Sequence, residues 1–133
     1  MELQESGQMY LETILILSKI KSDVRSIDIV DYMGFSKPSV SRAVGKLRSE
    51  KYISVDNDGY ISLTENGRGV AEKIYGRHTI LTDFFVHIGV DRQVAEKDAC
   101  RIEHVISDET VNALIQYNEQ LKAADAAAQN TKF

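Results

Sequence analysis

Apolar residues recur every three or four positions along most of this chain, with one break to alternation near the middle. From Glu5 to Lys21, Tyr10, Leu11, Ile14, Leu15, Leu17 and Ile20 form a broad stripe, which predicts an amphipathic helix. A shorter helix, capped by Ser26 and reaching Tyr32, carries Ile27, Ile29 and Val30; Gly34 ends it. Ser36 is the next N-cap. Pro38 fits the first turn of the helix that follows, because its missing N–H has no intrahelical partner there. That helix reaches about Glu50 and buries Val40, Val44 and Leu47. The period then changes to two. Tyr52-Ile53-Ser54-Val55 and Tyr60-Ile61-Ser62-Leu63 flank Asp56-Asn57-Asp58-Gly59, a hairpin signal, since glycine takes positive φ without strain.

Beyond the hairpin the helical period returns. Thr64 caps a long helix to about His87, and Asp91 caps a fifth through Ile106 with Val94, Ile102, Val105 and Ile106 as its buried stripe. Ser107 caps a sixth, burying Val111, Leu114, Ile115 and Leu121, and the Ala/Gln/Asn tail after Lys122 is expected to fray. Helix, glycine turn and capped second helix make a helix-turn-helix, and a hairpin directly after the second helix is a wing. The fold class is therefore mainly α, an N-terminal winged helix-turn-helix with a two-stranded wing followed by an α-helical domain.

Charge changes the picture locally. The net charge of −4 argues against nucleic acid for the chain as a whole. Between Ser36 and Tyr52, however, Lys37, Arg42, Lys46, Arg48 and Lys51 face the single acid Glu50. A basic patch on a capped helix suits DNA phosphate, with Ser36, Lys37, Pro38, Ser39, Ser41, Arg42 and Lys46 as the candidate contacts. No apolar run is long enough to span a bilayer, and the acidic start Met1-Glu2-Leu3-Gln4-Glu5 lacks the features of a signal peptide. One cysteine forms no internal disulfide. These features predict a cytoplasmic protein with no membrane partner.

Cys100-Arg101-Ile102-Glu103-His104 carries the chemistry. A thiol, a carboxylate and an imidazole at i, i+3 and i+4 turn toward one side of a helix, and each can bind a transition metal. Three donors do not complete a coordination shell. Met9 and Glu12, also three apart, and His78 are the candidates for the rest. The bland readings are a packed thiol, a solvated Glu-His pair and core-filling methionine.

Taken together, the order of elements and four motifs resemble the metal-dependent repressors typified by the diphtheria toxin repressor and the manganese transport regulator. The motifs are Met9-Tyr10-Leu11, Leu63-Thr64-Glu65-Asn66-Gly67, Arg77-His78 and Cys100-Arg101-Ile102-Glu103-His104-Val105-Ile106-Ser107. The resemblance covers about residues 8–117. The chain is expected to divide into a DNA-binding domain over 1–63, a helical metal-binding and dimerisation domain over 64–122 and, from its composition, a disordered tail over 123–133. The resemblance also implies a primary metal site at Met9, Cys100, Glu103 and His104. His78 matches a ligand of a second site, and Glu12 a ligand of the manganese branch. Met9 and Cys100 resemble the iron branch, whereas the length, without a third domain, resembles the manganese branch. Thr82 stands where the iron branch has a carboxylate and Glu96 where it has an imidazole, so a second site would use Glu12, His78 and Glu103, or borrow Glu96.

The expected function is a metal-activated transcriptional repressor, a homodimer on a palindromic double-stranded DNA operator, and no enzyme. Iron(II) is the expected ion from the thioether and thiolate, with manganese(II) the alternative; cobalt(II), nickel(II) and zinc(II) are expected to substitute in vitro. No organic cofactor is expected. A winged-helix regulator without metal dependence and a metallohydrolase are the competing readings; no base or nucleophile beyond the metal donors supports the second.

Overall fold

A computed structural model describes residues 3–130. Helices α1 (Glu5–Ile20), α2 (Ser26–Met33) and α3 (Lys37–Ser49) precede strands β1 (Ile53–Val55) and β2 (Ile61–Leu63). Helices α4 (Glu65–His87), α5 (Arg92–Ile102) and α6 (Asp108–Asn130) follow. The chain parts into two compact units inside α4, between Tyr75 and Gly76.

The first unit packs around Leu11, Ile14 and Leu15 of α1, Ile29 of α2, Val40, Val44 and Leu47 of α3, and Ile53 and Ile61 of the hairpin. The opening turns of α4 join this core through Ala71, with Val70 and Tyr75 packed against it. That burial is why the compact unit runs past residue 63, where the change of sequence pattern put the boundary. Ile20, expected on the buried stripe of α1, is instead 72 % exposed in the last turn. Ser26 does not cap α2. The N-cap is Arg25, whose N–H donates to the Asp28 carboxylate at 2.8 Å, while Lys21 Nζ donates to the same group at 2.9 Å. A carboxylate meets the orphan donor from inside the first turn, where it also suits the positive end of the helix dipole.

The hairpin is antiparallel, with Ser54 opposite Ser62, and Gly59 takes φ +84° at its tip. Asp56 Oδ1 accepts from the N–H groups of Asp58 and Tyr60, which closes the turn. Ile61 N donates to Val24 O at 2.7 Å, so the segment before α2 bridges to β2. Thr64 Oγ1 caps α4 by accepting from Gly67 N and also donates to Lys51 O. Gly67 is obligatory: a Cβ there would lie 1.9 Å from the Tyr52 carbonyl oxygen.

In the second unit, Asp91 caps α5 and Ser107 caps α6, as their side chains predict. Two expectations are corrected. First, α5 ends at Ile102, not Ile106, and its buried stripe is Ala95, Ala99 and Glu103. Val94 and Val105 are 50 % and 74 % exposed. Small alanines allow close packing on that side, and apolarity alone did not reveal which face would turn inward. Second, α6 continues to Asn130 where a frayed tail was expected from residue 123. Alanine is the best helix former, and the run 123–128 contains five of them. Residues 131–133 of the expected tail lie outside the described residues.

Candidate metal centre and nucleic-acid interface

The second unit places a carboxylate where solvent cannot reach it. Glu103 is 0 % exposed. It stands at the C-cap of α5, with its N–H donating to Ala99 O, so it continues the Ala95-Ala99 side inward. His78 comes from α4, and its Nδ1 lies 2.9 Å from Glu103 Oε2. His104 Nε2 lies 3.4 Å from Oε1, outside hydrogen-bond geometry, and Oε1 accepts no hydrogen bond among the described residues. A buried carboxylate costs several kcal/mol unless an opposite charge or full hydrogen bonding offsets it. Oxygen and imidazole nitrogen are donors that first-row divalent ions accept. These residues therefore fit a divalent cation.

The other predicted donors are placed less uniformly. Helix α5 stops at Ile102, with Cys100 in its last turn, Glu103 at the C-cap in helical backbone and His104 in the turn beyond it. Cys100 is exposed, one turn before Glu103. Glu96 lies on the exposed side of α5, with Arg92 Nη1 3.9 Å from its carboxylate. In the first unit, Met9 is half-buried on α1 and its carbonyl accepts from Thr13 Oγ1. Glu12, one turn on, is 8 % exposed.

Arg77 carried no functional signal in the sequence beyond its position beside His78. Its Nη1 donates to the carbonyls of Glu103 at 3.1 Å and Ile106 at 2.9 Å, and Nη2 donates to the Asp108 carboxylate. Partners 26 to 31 positions away leave no local pattern to read.

The candidate DNA contacts lie at the start and along the length of α3. Ser36 Oγ accepts from Ser39 N and so caps α3. Ser36, Lys37, Pro38, Ser41, Arg42 and Lys46 are exposed, and Ser39 is half-buried. Arg42 Nη2 reaches Ser39 Oγ at 3.4 Å. Two ring contacts brace this surface. Phe35, in the turn before α3, meets Tyr10 of α1 with centroids 6.1 Å apart, and Arg25 lies over the Tyr60 ring of the wing at 4.6 Å. Burial pushes the Tyr10 hydroxyl above its usual pKa, partly offset by the Arg42 charge. The hydrogen bond from Lys21, with that from Arg25 N, holds Asp28 below the usual carboxylate value.

Known proteins share this plan. Residues 2–61 match the "Iron dependent repressor, N-terminal DNA binding domain" and residues 64–126 the "Iron dependent repressor, metal binding and dimerisation domain". The transcriptional regulator MntR of Salmonella typhimurium is 30 % identical over 111 residues, covering 84 % of this chain and 71 % of that protein. The structure of the manganese regulator SloR superposes with a TM-score of 0.75 at 27 % identity, covering 85 % of this chain. This chain spans 53 % of that one, about half its length. The metal-dependent transcriptional regulator MtsR gives a TM-score of 0.79 over 85 % of this chain at 23 % identity, a likeness of fold. The two matched domains and the MntR relative lead to one conclusion: the chain belongs to the iron-dependent repressor family, whose members are metal-dependent transcriptional regulators.

Proposed function

We propose that this protein is a metal-activated repressor, binding a palindromic operator as a homodimer through α3 and the wing. One observation carries the reading: a fully buried Glu103 carboxylate is flanked by two imidazoles in a chain whose other unit presents a basic, capped recognition helix. Glu103, His78 and His104 would hold the ion. When bound, a divalent cation supplies positive charge where the fold has buried a negative one. The chain's own residues do the rest. Ser36 and Ser39 fix the start of α3, while Lys37, Ser41 and Lys46 meet phosphate and Arg42 reaches base edges. Binding in the second unit affects DNA affinity only through a difference in ion affinity between the DNA-competent and incompetent states.

Met9, Glu12 and Cys100 enter this reading through the resemblance, and their variants test it one by one. Thioether and thiolate argue for iron(II). The relatives named as manganese regulators argue for manganese(II) as the second reading. The experiment selects a DNA duplex from a random library with metal-loaded protein. The metal-free protein is then titrated, without oxygen, with iron(II) and separately with manganese(II) at fixed salt. Chelation is expected to weaken specific binding at least about tenfold. Equal affinity with and without chelator overturns the proposal. Activation at lower free manganese(II) than iron(II) selects the second reading.

A further inference from the structure

Two consecutive residues of α4 grip the same residue of the α5–α6 corner. His78 meets the Glu103 side chain, and Arg77 donates to the Glu103 backbone carbonyl. Consecutive side chains on a helix diverge by about 100°, so the pair holds the corner from two directions. The same Arg77 Nη1 also takes the Ile106 carbonyl, and Nη2 takes Asp108 at the start of α6. The corner itself is a short turn. Beyond Ile102 the helix stops, and the N–H groups of Val105 and Ile106 both return to the single carbonyl of Ile102. Arg77 thus supplies long-range hydrogen bonds to the segment that carries Glu103 and His104. Its side chain is only 11 % exposed, so these bonds form largely away from competing water.

We propose that Arg77 is a positioning residue for the metal centre. It holds the Glu103–Ile106 corner in place before an ion arrives, so that Glu103 and His104 meet the ion without reorganising. The inference rests on the metal reading given above. It runs against simple electrostatics, because a guanidinium close to a cation site should weaken cation binding. Asp108 offsets that charge, and the planar fork satisfies two carbonyls and a carboxylate together, which an ammonium cannot do.

That opposition makes the role testable in the full chain. Arg77→Met removes both charge and fork; Arg77→Lys keeps the charge and removes the fork. Cobalt(II) is titrated by its d–d absorption and manganese(II) by the electron paramagnetic resonance of the free ion, beside thermal unfolding of the metal-free protein. Positioning predicts that both variants lose about 10- to 100-fold in affinity, the range for residues that orient ligands. It also predicts that their cobalt(II) bands shift from those of wild type. A charge effect alone predicts tighter binding by Arg77→Met and unchanged binding by Arg77→Lys, and either result overturns the proposal. So does a drop in metal-free stability with wild-type metal affinity, which makes Arg77 structural only. If Arg77→Met fails to fold, the affinity and bands of Arg77→Lys decide the matter alone. Wild-type protein that binds neither ion overturns the metal reading itself, and this inference with it.

Discussion

The two units differ in what they bury most completely. In the first, Leu11, Ile14, Leu15, Ile29, Val40 and Leu47 are at most 2 % exposed, and their burial is the ordinary hydrophobic source of stability. In the second, the described buried residues include Leu81, Ala95, Ala99 and Val111 but also Thr82, Asn118 and a carboxylate at 0 % exposure. Large apolar side chains of that unit lie outside, Ile88 at 59 %, Val94 at 50 % and Tyr117 at 48 %. The first unit also encloses Glu12 at 8 % and leaves Ile20 at 72 % exposure, so the contrast lies in Glu103, a carboxylate closed off completely. The first unit is built to be a finished object, the second to be completed.

Three experiments break or sharpen this contrast. The largest effect is expected in the finished core. Ile29→Ala leaves a cavity at a fully buried position and should destabilise by about 2–5 kcal/mol in denaturant unfolding. A cost near zero would mean that the first unit is as loosely optimised as the second. The next effect has the opposite character. Glu103→Gln removes the buried charge while keeping polar atoms for His78. Metal-free melting temperature should hold or rise, because a buried charge is removed, while the stabilisation by added manganese(II) or cobalt(II) disappears. A collapse of the metal-free form would make Glu103 structural.

The smallest effect is electrostatic and belongs to the first unit. Asp28 has its carboxyl pKa lowered by the Lys21 hydrogen bond and by Arg25 N. A lowered folded value means that the unfolded chain binds the proton more tightly. The contribution is therefore complete above the ordinary value of 3.8 and is lost as the pH falls through the lowered folded value. Asp28→Asn should lower stability in the neutral region and converge with wild type as the pH falls through the lowered folded value, so the acid limb flattens. A parallel shift at every pH would show that Asp28 acts by packing.

The same contrast explains what was legible in the sequence. Helical periodicity, caps and turns revealed the first unit nearly element by element, because most of its apolar stripe faces inward: Val40, Val44 and Leu47 are buried as their spacing predicts, while Ile20 and Ile27 are not. Asp28 displaced Ser26 as the group satisfying the start of α2, since a charged acceptor three residues on outcompetes a hydroxyl that lies inside the helix. In the second unit, periodicity misled. The larger residues Val94 and Val105 lie outside and Glu103 inside, so hydrophobicity and burial part company where binding chemistry intervenes. Glu103, His78 and His104 were identifiable by residue type and resemblance. Arg77 was not, since its role is created by backbone carbonyls whose positions no side-chain pattern encodes.

The wing has a further consequence, for aggregation. A two-stranded ribbon offers unpaired backbone to any passing strand and invites strand-by-strand association. Here each strand is three residues long, Val24 occupies the outer side of β2 at Ile61, and Asp56 and Asp58 put charge at the tip. The hairpin is too short, too charged and too well covered to recruit another ribbon. On the proposed reading, in which the wing meets DNA, copies can crowd along a duplex without their wings pairing through β2.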